Sequence, residues 1–159
     1  MTERRAPALR TATERVEVDV AIVGGGIVGG SAALFLRRAG LSVALLERGL
    51  CGAAASGVNY GGVRVQGRQP VQLPLALRSR HWWERLPELI GTDGEYVRSG
   101  HLKLARSEAD LASLRAYRDV AREHGLTLAM IEGDAFRRAW PWLGRQAIAG
   151  SWCAEDGHA

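Results

Sequence analysis

Three glycines, Gly24, Gly26 and Gly29, stand at the spacing G-x-G-x-x-G, and an acid, Glu47, follows at the end of the next apolar stretch. The chemistry this spacing serves is the grip of a dinucleotide. Gly24 permits a tight turn, Gly26 lets backbone approach a pyrophosphate with no Cβ in the way, and Gly29 lets a helix pack close to the preceding strand. Ile27 and Val28 offer backbone amides in the first turn of that helix. Unpaired N–H groups and the positive end of the helix dipole there hold phosphate charge without a lysine. A carboxylate about 20 residues beyond the turn accepts hydrogen bonds from adenosine ribose hydroxyls.

The elements that must position these residues are legible around them. The apolar stretch Val18 to Val23 reads as a strand, Ser31 to Ala39 has helical period with a stop at Gly40, and Ser42 to Leu46 reads as a second strand. Together they form a βαβ unit. Nicotinamide and flavin dinucleotides share the adenosine diphosphate half that this unit grips, so the fingerprint alone leaves both open. The next segment separates them: Gly49 to Gly62 is rich in small residues, with Ala53-Ala54-Ala55-Ser56-Gly57 and Gly61-Gly62. It suits an extended loop running close to a ligand, where backbone amides and Ser56 donate hydrogen bonds. A nicotinamide-dependent dehydrogenase has no need of such a loop.

The 159 residues are 47% apolar and 24% charged, which is the balance of a globular protein. No apolar run reaches the roughly 18 residues of a membrane span. The net charge of +4 owes much to Arg4, Arg5, Arg10 and Arg15, which predict a basic tail over residues 1–16 rather than a nucleic-acid surface. Glu3 and Glu14 interrupt the run, against an organelle-targeting peptide. Cys51 and Cys153 have neither disulfide-framework nor metal-ligand spacing, so no metal site is expected and a cytoplasmic setting is.

Beyond the loop, apolar residues from Pro70 to Ile90 recur at near-helical spacing and predict one amphipathic helix, with Trp82 and Trp83 as packing residues. Tyr96-Val97 and His101 to Ala105 read as a hairpin around Ser99-Gly100. Ser107 is expected to cap a helix reaching His124, which sits at its C-terminal end, with Gly125 as the stop. Leu126 to Ile131 reads as a strand, Gly133 to Trp140 as a short helix and Ala147 to Cys153 as a strand. The predicted class is α/β: a Rossmann-like βαβ unit with its loop over 17–69, then part of a mixed α+β substrate domain over 70–159. Only two strands are available to a parallel nucleotide-binding sheet, so the fold is expected to be incomplete, truncated or completed by another chain.

The chain resembles the FAD-dependent amine and amino-acid oxidoreductases of the D-amino-acid oxidase type, which include glycine and sarcosine oxidases. The resemblance rests on Val20-Ala21-Ile22-Val23-Gly24-Gly25-Gly26-Ile27-Val28-Gly29, on Leu45-Leu46-Glu47-Arg48-Gly49, on Ala55-Ser56-Gly57, on Gly61-Gly62-Val63-Arg64 and on Pro74 to Ser79. Ile131 to Asp134, Trp140-Pro141 and Ala154 to Gly157 fit as well. It implies FAD as cofactor, with Gly24, Gly26, Ile27, Val28 and Gly29 at the pyrophosphate, Glu47 at the ribose, Arg48 beside the adenine and Ser56 near the pyrophosphate. Gly61, Gly62 and Val63 would run along the isoalloxazine, and Arg64 would lie near the flavin face or a substrate carboxylate.

The reaction the resemblance implies is oxidation of the C–N bond of a small amino acid or secondary amine, sarcosine- or glycine-like, to an imine. Two alternatives remain at this level: a non-catalytic nucleotide-binding subunit or truncated gene product, and an NAD-dependent dehydrogenase.

Overall fold

The structure, a computed structural model, describes residues 15–159. The expected basic tail over 1–16 therefore lies, up to residue 14, outside the described residues. The chain forms two compact units that divide between Asn59 and Tyr60. The sequence places its division ten residues later, after residue 69; the structure places it earlier because Gly62 and Val63 pair with strand residues near Ala159.

In the first unit, β1 (Val20–Val23) and β2 (Val43–Leu46) are parallel, in register from Val20 opposite Val43 to Val23 opposite Leu46. The crossover is α1 (Ile27–Arg38). Asp19 ties the two strand entries together: its carboxylate accepts from the Ser42 amide at 2.7 Å and from the Ser42 hydroxyl at 2.6 Å. α1 begins four residues earlier than the apolar period indicates; Gly29, a poor helix former in isolation, is packed there against the glycine turn and β1. A Cβ at Gly29 would overlap the Gly24 carbonyl oxygen and reach within 3.3 Å of Ile22. The helix ends as expected. Gly40, at φ +89°, donates to Arg37, Leu41 donates back to Leu36, and Arg37 and Arg38 oppose the dipole in the last turn. α1 covers the Ile22 face of the strands; Ala21 and Val23 point the other way and are exposed, Val23 at 86%.

The second unit is built on a three-stranded antiparallel sheet in the order β4 (His101–Ala105), β6 (Ala149–Cys153), β5 (Ala129–Glu132). One face carries Ala105, Ala149, Ser151 and Cys153, and onto it pack α2 (Leu73–Trp83) and α4 (Glu108–Glu123) through Leu73, Leu111, Leu114 and Ala121. Each large apolar side chain buried here stabilises by roughly 1.5–3 kcal/mol. On the opposite face, Phe136 of α5 (Gly133–Ala139) packs with Trp140, whose ring meets that of Trp152 at 5.7 Å. Ser107 caps α4, accepting from the Asp110 amide at 3.1 Å, and His124 occupies the C-cap before Gly125.

Three expectations are corrected. The stretch from Pro70 to Ile90 is not one helix but a 3-10 turn (Pro70–Gln72), α2 and α3 (Leu86–Ile90). Pro87 has no N–H to offer the Trp83 carbonyl, which breaks the ladder there. The hairpin around Ser99-Gly100 does not form. Val97 instead exchanges backbone hydrogen bonds with His158, at 2.8 and 3.0 Å, and Gly100 donates to the Asp156 carbonyl at 2.7 Å. Finally, the segment after Cys153, for which periodicity predicts no element, contains β7 (Gly157–His158), antiparallel to β3 (Gly62–Val63).

Candidate dinucleotide site

The glycine turn joins β1 to α1 with Gly24 at φ +106°, a left-handed conformation that favours glycine. Its amide donates to the Leu46 carbonyl at 2.8 Å, fixing the turn against the end of β2. That contact brings Glu47 to the turn. One Glu47 carboxylate oxygen accepts from the Gly25 amide at 2.7 Å, the other from the Gly49 amide at 2.9 Å. These two donors, Gly25 first, hold the Glu47 carboxyl below the usual glutamate range. Each oxygen keeps a further lone pair for a hydroxyl donor.

At the N-terminus of α1, the Ile27 amide donates to the Ser56 hydroxyl at 2.8 Å. Ser56 accepts in that bond, so its own O–H remains available to donate to an anion lying there. Gly26 is extended at φ −76°, and a Cβ on it would come within 2.9 Å of the Ser56 hydroxyl oxygen. The loop that carries Ser56 is itself tied to the turn by the Gly52 amide, 3.0 Å from the Gly25 carbonyl. The unit thus brings together Gly24, Gly26, Ile27, Val28, Gly29, Glu47 and Ser56, while Arg48 stands exposed beside Glu47. Val28 is exposed in the first turn of α1.

Gly25 joins the site although it is not one of the three spaced glycines of the fingerprint. It sits at the variable position of the fingerprint, yet its amide orients Glu47, and a Cβ there would meet Cys51 at 2.6 Å and Glu47 at 3.1 Å. The signal was present as a third consecutive glycine. A turn closed to side chains at positions 25, 26 and 29, with a helix N-terminus behind it and a carboxylate at its rim, fits the adenosine diphosphate half of a dinucleotide.

The remaining candidates lie in the second unit. Gly61, at φ +65°, would overlap the Ala159 carbonyl oxygen if it carried a Cβ; Gly62 and Val63 form β3. Arg64 donates from its guanidinium to the Gln66 carbonyl at 2.8 Å, so its head is tied to its own backbone. Beneath this strand lies a buried polar network that sequence patterning does not reveal. The Asp156 carboxylate accepts from the Val65 and Gln66 amides, each at 2.9 Å, and faces the Arg80 guanidinium at 3.3 Å. Arg80 also pairs with Glu155. The Gln66 side-chain amide donates to the Ser151 carbonyl at 3.0 Å and hydroxyl at 2.7 Å. Its oxygen is therefore the acceptor for His101 Nδ1 at 3.0 Å, which places the imidazole proton on Nδ1. Burial pushes the His101 pKa down, and Arg64 and Lys103 add to this against the opposing charge of Asp156. Burial likewise pushes the Cys153 thiol up. Among the described residues, no group of His, Cys, Asp and Glu is arranged to hold a metal ion.

A family model described as FAD dependent oxidoreductase matches residues 19–159. Among curated proteins, 4-methylaminobutanoate oxidase (formaldehyde-forming) from Paenarthrobacter nicotinovorans is 30% identical over 143 residues, covering 89% of this chain and 17% of the relative. Glycine oxidase from Geobacillus kaustophilus is 33% identical over 141 residues, 84% of this chain and 37% of that enzyme. Among solved structures, L-amino acid deaminase from Proteus myxofaciens superposes with a TM-score of 0.85 at 25% identity, covering 93% of this chain and 34% of that one. Glycine oxidase from Bacillus cereus gives 0.75 at 29% identity, with 89% and 40% covered. The chain spans less than half the length of each of these relatives.

Proposed function

Since the chain belongs to the family of FAD-dependent oxidoreductases, we propose that it contributes the adenosine-side site and part of the substrate domain of a flavoprotein that oxidises a small amino acid or secondary amine. The observation that carries the reading is the paired geometry at the glycine turn: the Gly25 amide on Glu47 and the Ile27 amide on Ser56 bracket the N-terminus of α1. Gly24, Gly26, Ile27, Val28 and Gly29 line the pyrophosphate, where the first-turn amides and the Ser56 hydroxyl donate to its oxygens. Glu47 accepts from the ribose hydroxyls, and its negative charge disfavours a 2′-phosphate. Arg48 lies beside the adenine.

FAD, when bound, supplies hydride acceptance from the carbon beside an amine. The substrate leaves as an imine, which water hydrolyses to a carbonyl compound and the free amine or ammonia. In this reading Gly61, Gly62 and Val63 run along the flavin ring, and Arg64 attracts the carboxylate of a sarcosine- or glycine-like substrate. The names of the relatives support an amine or amino-acid substrate. The nicotinamide alternative gives way to FAD on the family match over residues 19–159.

The reading also calls for a remainder of the flavoprotein, in the same polypeptide or as a second chain. Its support is the exposed face of Ala21 and Val23 on a parallel sheet, an arrangement normally covered on both sides. A non-catalytic nucleotide-binding subunit is the other outcome of the same test. A cytoplasmic setting is supported by the unpaired thiols Cys51 and Cys153. Among the described residues, no helix is long and apolar enough to cross a membrane.

The test is the visible absorption spectrum of the purified chain after FAD is added and the sample desalted. Retained flavin bands support the site; a colourless protein that also fails to bind ADP in solution overturns it.

A further inference from the structure

We infer that Asp156 is a positioning residue for the flavin ring, acting by locking the segment Gly61 to Gln66 in one register. This deepens the proposed function and rests on it. The carboxylate is fully buried and spans two successive amides, one oxygen on Val65 and the other on Gln66, 91 and 90 residues away in sequence. A carboxylate of that size gives each of two successive N–H donors its own acceptor oxygen. Arg80, also buried, balances its charge from 3.3 Å.

The rest of the segment is fixed from the residues that follow Asp156 and from β4, β6 and α4. The Gly61 carbonyl accepts from the Ala159 amide at 2.9 Å, Gly62 and Val63 pair with His158 and Gly157, and the Gln66 side chain is anchored on Ser151 and His101. Downstream, the Tyr117 hydroxyl accepts from the Gly67 amide and donates to the Arg68 carbonyl, each at 3.0 Å. The segment thus has no slack on either side of the Asp156 pair. Charge-assisted bonds to buried amides are the strongest of these ties, and they set the height at which Gly61 to Val63 meet a ring laid along them.

Asp156→Asn isolates this role because it keeps the shape and removes half the bonding. The asparagine oxygen satisfies one amide, while its NH2 group faces the other as donor against donor. ADP and FAD affinities of the full chain, measured by titration calorimetry, separate the two halves of the cofactor. The native chain is expected to bind FAD more tightly than ADP. In Asp156→Asn, ADP affinity stays within about twofold while the FAD advantage falls by about tenfold, the size of one lost charged hydrogen bond, and amide exchange quickens at residues 61–66 but not in α4.

A folded Asp156→Asn chain that keeps the FAD advantage overturns the inference while leaving the proposed function standing. A native chain that binds neither ADP nor FAD overturns both. If Asp156→Asn does not fold, Asp156→Glu serves instead: it keeps both acceptor oxygens but adds a methylene, so the two amides of Val65 and Gln66 can no longer be held at the native position. The same FAD-over-ADP ratio is then expected to fall with ADP affinity unchanged, and an unaltered ratio overturns the inference.

Discussion

The amide of Gly25 donates a 2.7 Å hydrogen bond to the carboxylate of Glu47, so the acid that rims the dinucleotide turn is oriented by the turn itself. The two features of the fingerprint are one structure. A change to the turn is felt at the acid, and a change to the acid is felt at the turn.

Glu47→Gln is expected to weaken ADP and FAD binding together, on the order of tenfold, because one amide oxygen cannot replace two acceptor oxygens shared between backbone and ribose. Parallel calorimetric titrations with the two ligands check this. Loss of FAD binding with ADP binding intact would contradict the ribose role.

Acid stability carries a second signature of Glu47. Its folded pKa is depressed, so its contribution to stability is complete above the ordinary glutamate value of about 4.3 and disappears as pH falls through the lower folded value. Urea midpoints of the native chain and Glu47→Gln should differ most above that range and converge below it.

His101 titrates with the same sign for a different reason. Burial depresses its folded pKa, so the neutral ring stabilises the fold above the ordinary histidine value of about 6.5, and that contribution declines as pH falls toward the folded value. Imidazole NMR titration should place the midpoint below that of a free histidine; a midpoint above it would mean that Asp156, not burial, dominates.

Ser107→Ala removes the acceptor for the Asp110 amide at the start of α4. The expected cost is about 1 kcal/mol, read from urea unfolding with an unchanged m-value.

Phe136→Ala tests the opposite face of the sheet. Phe136 is fully buried against Trp140 and close to Gly150. A loss of about 3–5 kcal/mol is expected, enough to unfold a marginal domain. Retention of native stability would show that α5 is loosely attached.

Sequence alone reveals the βαβ unit because its signals are local: the glycines, the helical period and the apolar strands all fall within one supersecondary unit. The Ser107 cap and Gly125 stop are local in the same way. What escaped depends on partners distant in sequence. Val97 has a plausible neighbour across Ser99-Gly100, yet its ladder bonds go to His158. Asp156 reads as one acid in a polar ending, and nothing near it in sequence announces the amides of Val65 and Gln66. The expected helix over Pro70 to Ile90 fails differently: its apolar spacing is genuine, but Pro87 removes a ladder donor, and side-chain periodicity does not register a missing N–H.

The pairing of Gly62 and Val63 with His158 and Gly157 also has a consequence for the order of events in a cell. A ribosome delivers the earlier strand first, so residues 61–66 must wait while some ninety residues emerge before their hydrogen-bond partners exist. During that interval the βαβ unit already has every local contact it needs. A nascent chain halted shortly before Asp156 would present a formed glycine turn and an untethered strand, and the arrival of residues 156–159 is what ties that strand down.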